Sequence, residues 1–257
     1  IRLSLYNTLE NGSFETLFSK KYMAGLAGYV SHGIMSNDGI NQACAVLLDF
    51  KVLLQQLGVN EMHVFATASL RNIKNTEKAL ETIKRRTGLC VDVIAGSEEG
   101  ILGYYGALYT TDLKNGIMFD IGGGSTEFSL FYEGKIIASK SFKNGTVRLL
   151  NNMVNEVVWQ EIEKWIKTNT EPFEDITLIG SGGNINKLFK LSEKQQDKPL
   201  SYVYVSSQYQ KLNSMTYEQR IAEIGLNPDR ADVIIPATRI YLNAMKWSGA
   251  RHIYVPK

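Results

Sequence analysis

Residues 116–132 constrain the fold more than any other stretch. An apolar run, Gly116-Ile-Met-Phe119, leads into Asp120-Ile121-Gly122-Gly123-Gly124-Ser125-Thr126-Glu127, and an alternating run, Phe128-Ser-Leu-Phe-Tyr132, leads out. The first run reads as a buried strand and the second as its partner, so the glycine triplet caps a hairpin. Three glycines exceed what a tight turn needs. With no side chains in the way, backbone N–H groups can converge on an anion, and Ser125 and Thr126 add hydroxyl donors. Asp120 stands where the first strand ends and Glu127 where the second begins. Acids beside a phosphate cradle make sense when a divalent cation sits between them.

The remainder of the chain alternates strands with helices. Ile1 to Tyr6 alternates as a strand, Asn11-Gly12 is a hairpin signal, and Ser13 to Phe18 is the return strand. Ile40, Ala43, Leu47, Phe50, Leu54 and Leu57 recur at helical spacing, so residues 37–58 read as a helix that Gly58 ends. His63-Val-Phe-Ala-Thr67 reads as a short buried strand, followed by Ala68-Ser-Leu-Arg71, small and hydroxyl residues with an arginine that suit an anion. Asn75 is placed to cap a helix through Arg86, and Cys90 to Ile94 reads as another strand.

Next comes Gly96-Ser-Glu-Glu99-Gly-Ile-Leu-Gly103-Tyr-Tyr-Gly106, a helix with glycine at every third position. Glycine costs about 1 kcal/mol relative to alanine inside a helix, so the three imply about 3 kcal/mol offset elsewhere. Close approach of another backbone is the natural reason. On a helical wheel Glu99 shares the glycine face.

After the central hairpin, Lys135 to Ser139 continues the meander. Asn144-Gly145-Thr-Val-Arg148-Leu149 leads into a helical pattern, and Val158, Trp159, Ile162, Trp165 and Ile166 mark a helix face over 156–167. Ile176 to Ile179 is a strand running into Gly180-Ser-Gly182-Gly183-Asn184 and a helix from Ile185, the usual anion-accepting arrangement. Residues 192–214 are polar and read as an exposed connection. Thr216 and Gln219 form a capping box. A last helical region runs from Asp229 to Trp247, with a kink or restart expected at Pro236. His252 to Val255 is a final strand.

Composition excludes several classes. The net charge of +2 gives no broad electrostatic case for nucleic acid or a membrane surface, so a polyanion site must be local. No apolar run approaches the roughly 20 residues of a membrane span. Cys44 and Cys90 lack metal-ligand spacing and read as two buried thiols of a protein in a reducing cytosol. His32, His63 and His252 form no cluster. A chain of 257 residues accommodates one large domain or two ordinary ones.

Six stretches, taken in order, resemble the exopolyphosphatase/guanosine pentaphosphate phosphohydrolase (Ppx/GppA) family. They are Ala66-Thr-Ala-Ser-Leu-Arg71-Asn-Ile-Lys-Asn75, Gly96-Ser-Glu-Glu99-Gly-Ile-Leu, Asp120 to Glu127, Gly145-Thr-Val-Arg148-Leu, Gly180-Ser-Gly-Gly-Asn184 and Asp229-Arg-Ala-Asp-Val-Ile234. The resemblance implies the actin-like ATPase (ribonuclease H-like) superfamily fold, an α/β architecture of two domains with mixed five-stranded sheets facing a cleft. The domains would cover 1–114 and 115–257, with the last strand a candidate to return to the first. The family's first phosphate loop would precede Ile1.

The resemblance also implies a Mg²⁺-dependent phosphohydrolase of the short two-domain form. It would act on inorganic polyphosphate or guanosine pentaphosphate, the latter placing it in the stringent response, and a dimer is implied too. By position, Glu99 matches the catalytic base. Asp120 and Glu127 match acids near the metal. Gly122, Gly123, Gly124, Ser125, Gly182 and Gly183 match phosphate-binding loops, and Arg71 a phosphate-contacting arginine. Phosphoryl transfer needs those parts: a positioned water, a base and charge neutralisation. A sugar or acetate kinase of the same superfamily would route phosphate to a bound acceptor, which the context of Glu99 argues against. A non-catalytic sensor of guanosine tetraphosphate or polyphosphate is the alternative, and Glu99, Asp120 and Glu127 argue against it.

Overall fold

The computed structural model describes all residues except 11, 60, 109–112, 114, 174–175, 196–197 and 257. Its contacts divide the chain into two units, Ile1–Ile94 and Ala95–Lys257.

In the first unit, β1 (Arg2–Thr8) and β2 (Phe14–Lys21) form an antiparallel pair, and every residue of β2 is exposed. Two short strands, β3 (Val30–Ser31) and β4 (Ile34–Met35), precede helix α1 (Asn37–Gln56). The predicted stripe of α1 is buried through Leu54: Ile40, Ala43 and Leu47 face one cluster, Phe50 and Leu54 another with Leu3. Strand β5 (Phe65–Ala66), helices α2 (Ala68–Arg71) and α3 (Thr76–Thr87), and strand β6 (Asp92–Val93) complete the unit, β5 and β6 being parallel.

Three expectations are corrected here. Among the described residues the strands form two-stranded ladders, not one five-stranded sheet. The strand expected at 63–67 is shorter and not buried, Phe65 being 62% exposed. Asn75 does not cap α3 with its side chain, because its amide holds both backbone groups of Met35, accepting at 3.0 Å and donating at 2.9 Å.

The second unit opens with α4 (Gly96–Leu108), then the antiparallel meander β7 (Gly116–Ile121), β8 (Thr126–Tyr132) and β9 (Lys135–Phe142). Helices α5 (Thr146–Leu150) and α6 (Glu156–Thr170) follow, then β10 (Leu178–Ser181) and α7 (Gly183–Leu191). The rest is β11 (Leu200–Ser201), α8 (Tyr202–Ser214), α9 (Tyr217–Ala222), α10 (Pro228–Ala231), α11 (Ile234–Ser248) and β12 (His252–Tyr254). One mixed sheet in the order β11-β12-β10-β7-β8-β9 organises the unit, five strands plus the two-residue edge β11.

Strand alternation sorts the core into two layers. Ile117, Phe119, Ile121, Phe128 and Leu130 join α6, α7, α8 and α11 on one face. Met118, Phe131 and Ile179 face the other way, with Tyr104 of α4. The Tyr104 and Phe131 rings lie 4.8 Å apart. Helix α4, expected within residues 1–114, therefore packs with the second unit.

The last strand does not return to the first unit. Ile253 pairs with Leu178 in parallel and with Leu200 in antiparallel fashion, all three fully buried. The expected connection at 192–214 contains α8, which Ser201 caps by accepting from the Tyr204 N–H and which buries Val205 and Leu212. The last helical region restarts, but at Asp232–Val233. Pro236 lies in the first turn of α11, where a missing N–H costs nothing.

Candidate functional site

Register builds the site. Ser181 of β10 lies beside Asp120 of β7, Asp120 is opposite Glu127 of β8, and Glu127 is opposite Ser141 of β9. Neighbours across a sheet share a face. These four side chains form one polar row on the face that α4 covers. The next row, Ile179-Met118-Ser129-Ser139, is apolar at one end and hydroxyl-bearing at the other.

Glu127 is the electrostatic centre of the row. It is only 2% exposed. Ser125 Oγ and Ser141 Oγ both donate to its Oε1, at 2.6 and 2.7 Å. Burial pushes its carboxyl up to about 7, the Glu99 and Asp120 charges add to the rise, and the two hydroxyls oppose it. Glu99, in the first turn of α4, thus belongs electrostatically to the same row.

A stability test follows. The folded pKa lies above the ordinary 4.5, so the neutral form's contribution is full below 4.5 and is lost as pH rises through 7. The rise corresponds to about 3 kcal/mol at most. Glu127→Gln keeps the acceptor for both serines and removes the charge. In chelator at pH 8 the variant should be the more stable protein by up to that amount, with the gap closing near pH 4.5. Urea denaturation at the two pH values measures it, and a gap independent of pH would refute the buried-charge account.

The glycine hairpin stands at the end of this row. Gly122 N–H closes the turn on Ser125 O at 3.0 Å. The loop's carbonyls point the other way: Thr146 N–H donates to Gly122 O, and Val147 and Arg148 N–H donate to Gly123 O. A Cβ at Gly145 would lie 2.4 Å from Gly123 C and Ser125 N, so only glycine permits the approach. Among the described residues, the N–H groups of Gly123 and Gly124 have no protein acceptor. That polarity, carbonyls engaged and amides left over, suits an anion.

The second loop lies beside Asp120. A Cβ at Gly182 would meet Asp120 Oδ1 at 3.2 Å, and one at Gly183 would meet the Arg230 guanidinium at 2.7 Å. Helix α7 starts at Gly183, two residues earlier than expected. Arg230 therefore lies against the N-terminus of α7, with Asp229 at 3.7 Å. Arg71 closes α2 in the first unit, where its Nη1 donates to Ile94 O at 3.0 Å.

Sequence reading had not singled out Ser141, Ser181 or Arg230 as site residues. Ser141 carries no local signal and is identified only by register, whereas Ser181 lies in the second glycine loop. Arg230 lies in a quoted family stretch, which was the available signal.

The donor set fits Mg²⁺. Among the described residues, no group of three or more His, Cys, Asp or Glu is arranged to hold a metal ion. Asp120 and Glu127 nonetheless face each other as hard oxygen donors, under mutual repulsion that a cation would relieve. Mg²⁺ is commonly held by one or two carboxylates, with water and phosphate completing its shell.

The chain matches the Ppx/GppA phosphatase family model over residues 7–248. It is similar to a bifunctional 3-dehydroquinate synthase/phosphatase of Fusobacterium nucleatum, 26% identical over 245 residues, covering 86% of this chain and 37% of that protein. It is also similar to a guanosine-5'-triphosphate,3'-diphosphate pyrophosphatase of Vibrio parahaemolyticus, 27% identical over 192 residues, covering 69% and 39%. The chain thus spans less than two fifths of the length of these curated relatives.

Among solved structures, an exopolyphosphatase of Cytophaga hutchinsonii superposes with a TM-score of 0.85 at 22% identity, covering 100% of this chain and 90% of that one. The Aquifex aeolicus Ppx/GppA family member gives 0.78 at 23%, covering 100% and 89%. These two likenesses show the fold, an α/β architecture with a mixed sheet. With the family model spanning residues 7–248, the chain belongs to the Ppx/GppA phosphatase family.

Proposed function

We propose that the chain is a Mg²⁺-dependent phosphohydrolase. It releases the terminal phosphate of inorganic polyphosphate or the 5′-phosphate of guanosine pentaphosphate. The observation that carries the reading is the grouping of Glu99 with the Asp120–Glu127 pair, beside a glycine hairpin whose amides at Gly123 and Gly124 lack protein acceptors.

In this reading the Gly123 and Gly124 amides bind the terminal phosphoryl oxygens. Glu99 orients a water and takes its proton as the water oxygen bonds to phosphorus. The bond from phosphorus to the bridging oxygen breaks, and the shortened chain leaves with that oxygen. Asp120 and Glu127 would hold Mg²⁺, which supplies charge neutralisation when bound. The hydroxyls of Ser125 and Ser141 hold Glu127 in place. Gly182 and Gly183 frame the neighbouring loop, and Arg71 is assigned to a substrate phosphate.

The test is phosphate release with Mg²⁺, offering long-chain polyphosphate and guanosine pentaphosphate side by side. Release from either supports the proposal, and the ratio names the substrate. No release from either, with tight binding of one, would overturn it in favour of a sensor. Among the described residues no helix is long and apolar enough to cross a membrane. A cytoplasmic location and a dimer are part of the proposal, and size-exclusion chromatography reads the latter.

A further inference from the structure

We infer that Gly100, Ser129 and Ser139 form a seat that sets the position of Glu99 over the carboxylate row. This rests on the reading of Glu99 as the base and adds three positioning residues to it.

The seat is visible as a contact between α4 and the hydroxyl end of the second row. Gly100 is buried, and a Cβ there would lie 2.9 Å from Ser129 Oγ, 3.0 Å from Ser139 Oγ and 3.4 Å from Glu127 Cβ. The two hydroxyls are themselves linked at 3.1 Å. Ser139 Oγ also donates to Ser97 O at 3.3 Å. Since Ser139 has one proton and spends it on Ser97, Ser129 donates to Ser139. The chain Ser129, Ser139, Ser97 carbonyl therefore ties the first turn of α4 to β8 and β9.

Crowding is local to this point. A Cβ at Gly103, one turn on, would meet Met118 Cε at an ordinary 3.6 Å. Glu99 is adjacent to Gly100, where a Cβ would approach two hydroxyl oxygens to 3.0 Å or less. A methyl group at 100 displaces the Ser129 and Ser139 hydroxyls or lifts the first turn, and either change alters the tie that holds Glu99 in place. Misplacement of a catalytic group by about 1 Å can cost roughly 100-fold in rate.

The experiment measures kcat and KM for phosphate release from whichever substrate the native protein turns over. Gly100→Ala should lower kcat by roughly 10- to 100-fold and leave KM within about twofold. Adding Ser129→Ala and Ser139→Ala to Gly100→Ala removes the two close oxygens and leaves Glu127 Cβ, at 3.4 Å, as the nearest atom. The triple variant should recover the kcat of the Ser129→Ala/Ser139→Ala protein. That recovery in a matched cycle is what mere destabilisation would not produce.

An unchanged kcat in Gly100→Ala overturns the inference, as does a triple variant no faster than Gly100→Ala when their melting temperatures agree. Where Gly100→Ala fails to fold, Ser139→Ala decides. It should lower kcat several-fold, and Ser139→Thr, which keeps the hydroxyl, should restore it. Equal activity of all three Ser139 forms is the contrary result. Glu99→Gln is run alongside. Full activity in that variant removes the base reading, whereas a dead Glu99→Gln with an indifferent Gly100→Ala removes only the seat.

Discussion

Glu99→Gln should abolish turnover, lowering kcat by at least ~10²-fold, while binding of polyphosphate or guanosine pentaphosphate stays close to that of the parent. A positioned general base contributes about 10²- to 10⁴-fold, and glutamine keeps the shape of glutamate while losing its capacity to take a proton. Stopped-flow phosphate release measures the first quantity and isothermal titration the second. Normal turnover would remove Glu99 from the mechanism. The same variant has a second consequence. Glu99's charge is among those that push the Glu127 carboxyl up to about 7. Its removal should move that titration to lower pH, detectable as a shift in the pH dependence of stability.

Gly145→Ala should be among the most damaging substitutions outside the acids. Its Cβ would collide with backbone atoms at 2.4 Å rather than with a side chain that can rotate away. Either the glycine hairpin shifts or the start of α5 does, and the N–H bonds from Thr146, Val147 and Arg148 to Gly122 and Gly123 are lost in both cases. Overpacking of this kind costs about 1–3 kcal/mol, which lowers Tm by roughly 2–4 °C per kcal/mol in a protein of this size. KM should rise steeply, because the amides of Gly123 and Gly124 no longer point together. Thermal melting and saturation kinetics give the two readings. A variant with parent-like KM would show that the hairpin does not hold phosphate.

Much of the fold was legible wherever the determinant is local. The glycine hairpin, the α1 stripe and the Thr216–Gln219 capping box all formed because each depends on neighbours within one turn or one strand pair. The parts that were not legible depend on pairing at a distance. Ser141 is fourteen residues from Glu127, and only the β8–β9 register makes it a hydrogen-bond donor there. The partner of β12 is chosen by Leu178 and Leu200, which no spacing in the last strand announces. Helix α8 was hidden by composition, since Val205 and Leu212 are its only fully buried side chains in a polar stretch. Phe65 misled because an aromatic in a β-rich pentapeptide reads as core, and here it is exposed.

The alternation along β8 behaves like a reading frame. Glu127, Ser129 and Phe131 are read on one side of the sheet, Phe128 and Leu130 on the other. Shifting the pairing by one residue would turn every side chain over, driving a carboxylate into the aromatic layer and setting Phe128 where Glu127 belongs. A single-residue insertion ahead of Glu127 is therefore a frameshift in space, more harmful than most substitutions. The chain carries its own irregularity, a register shift between Leu130 and Phe131, only after Ser129 has been passed. The extra residue, Ile137 of β9, lies outside the pairs Glu127–Ser141 and Ser129–Ser139, so the row that contains the acids is kept in phase.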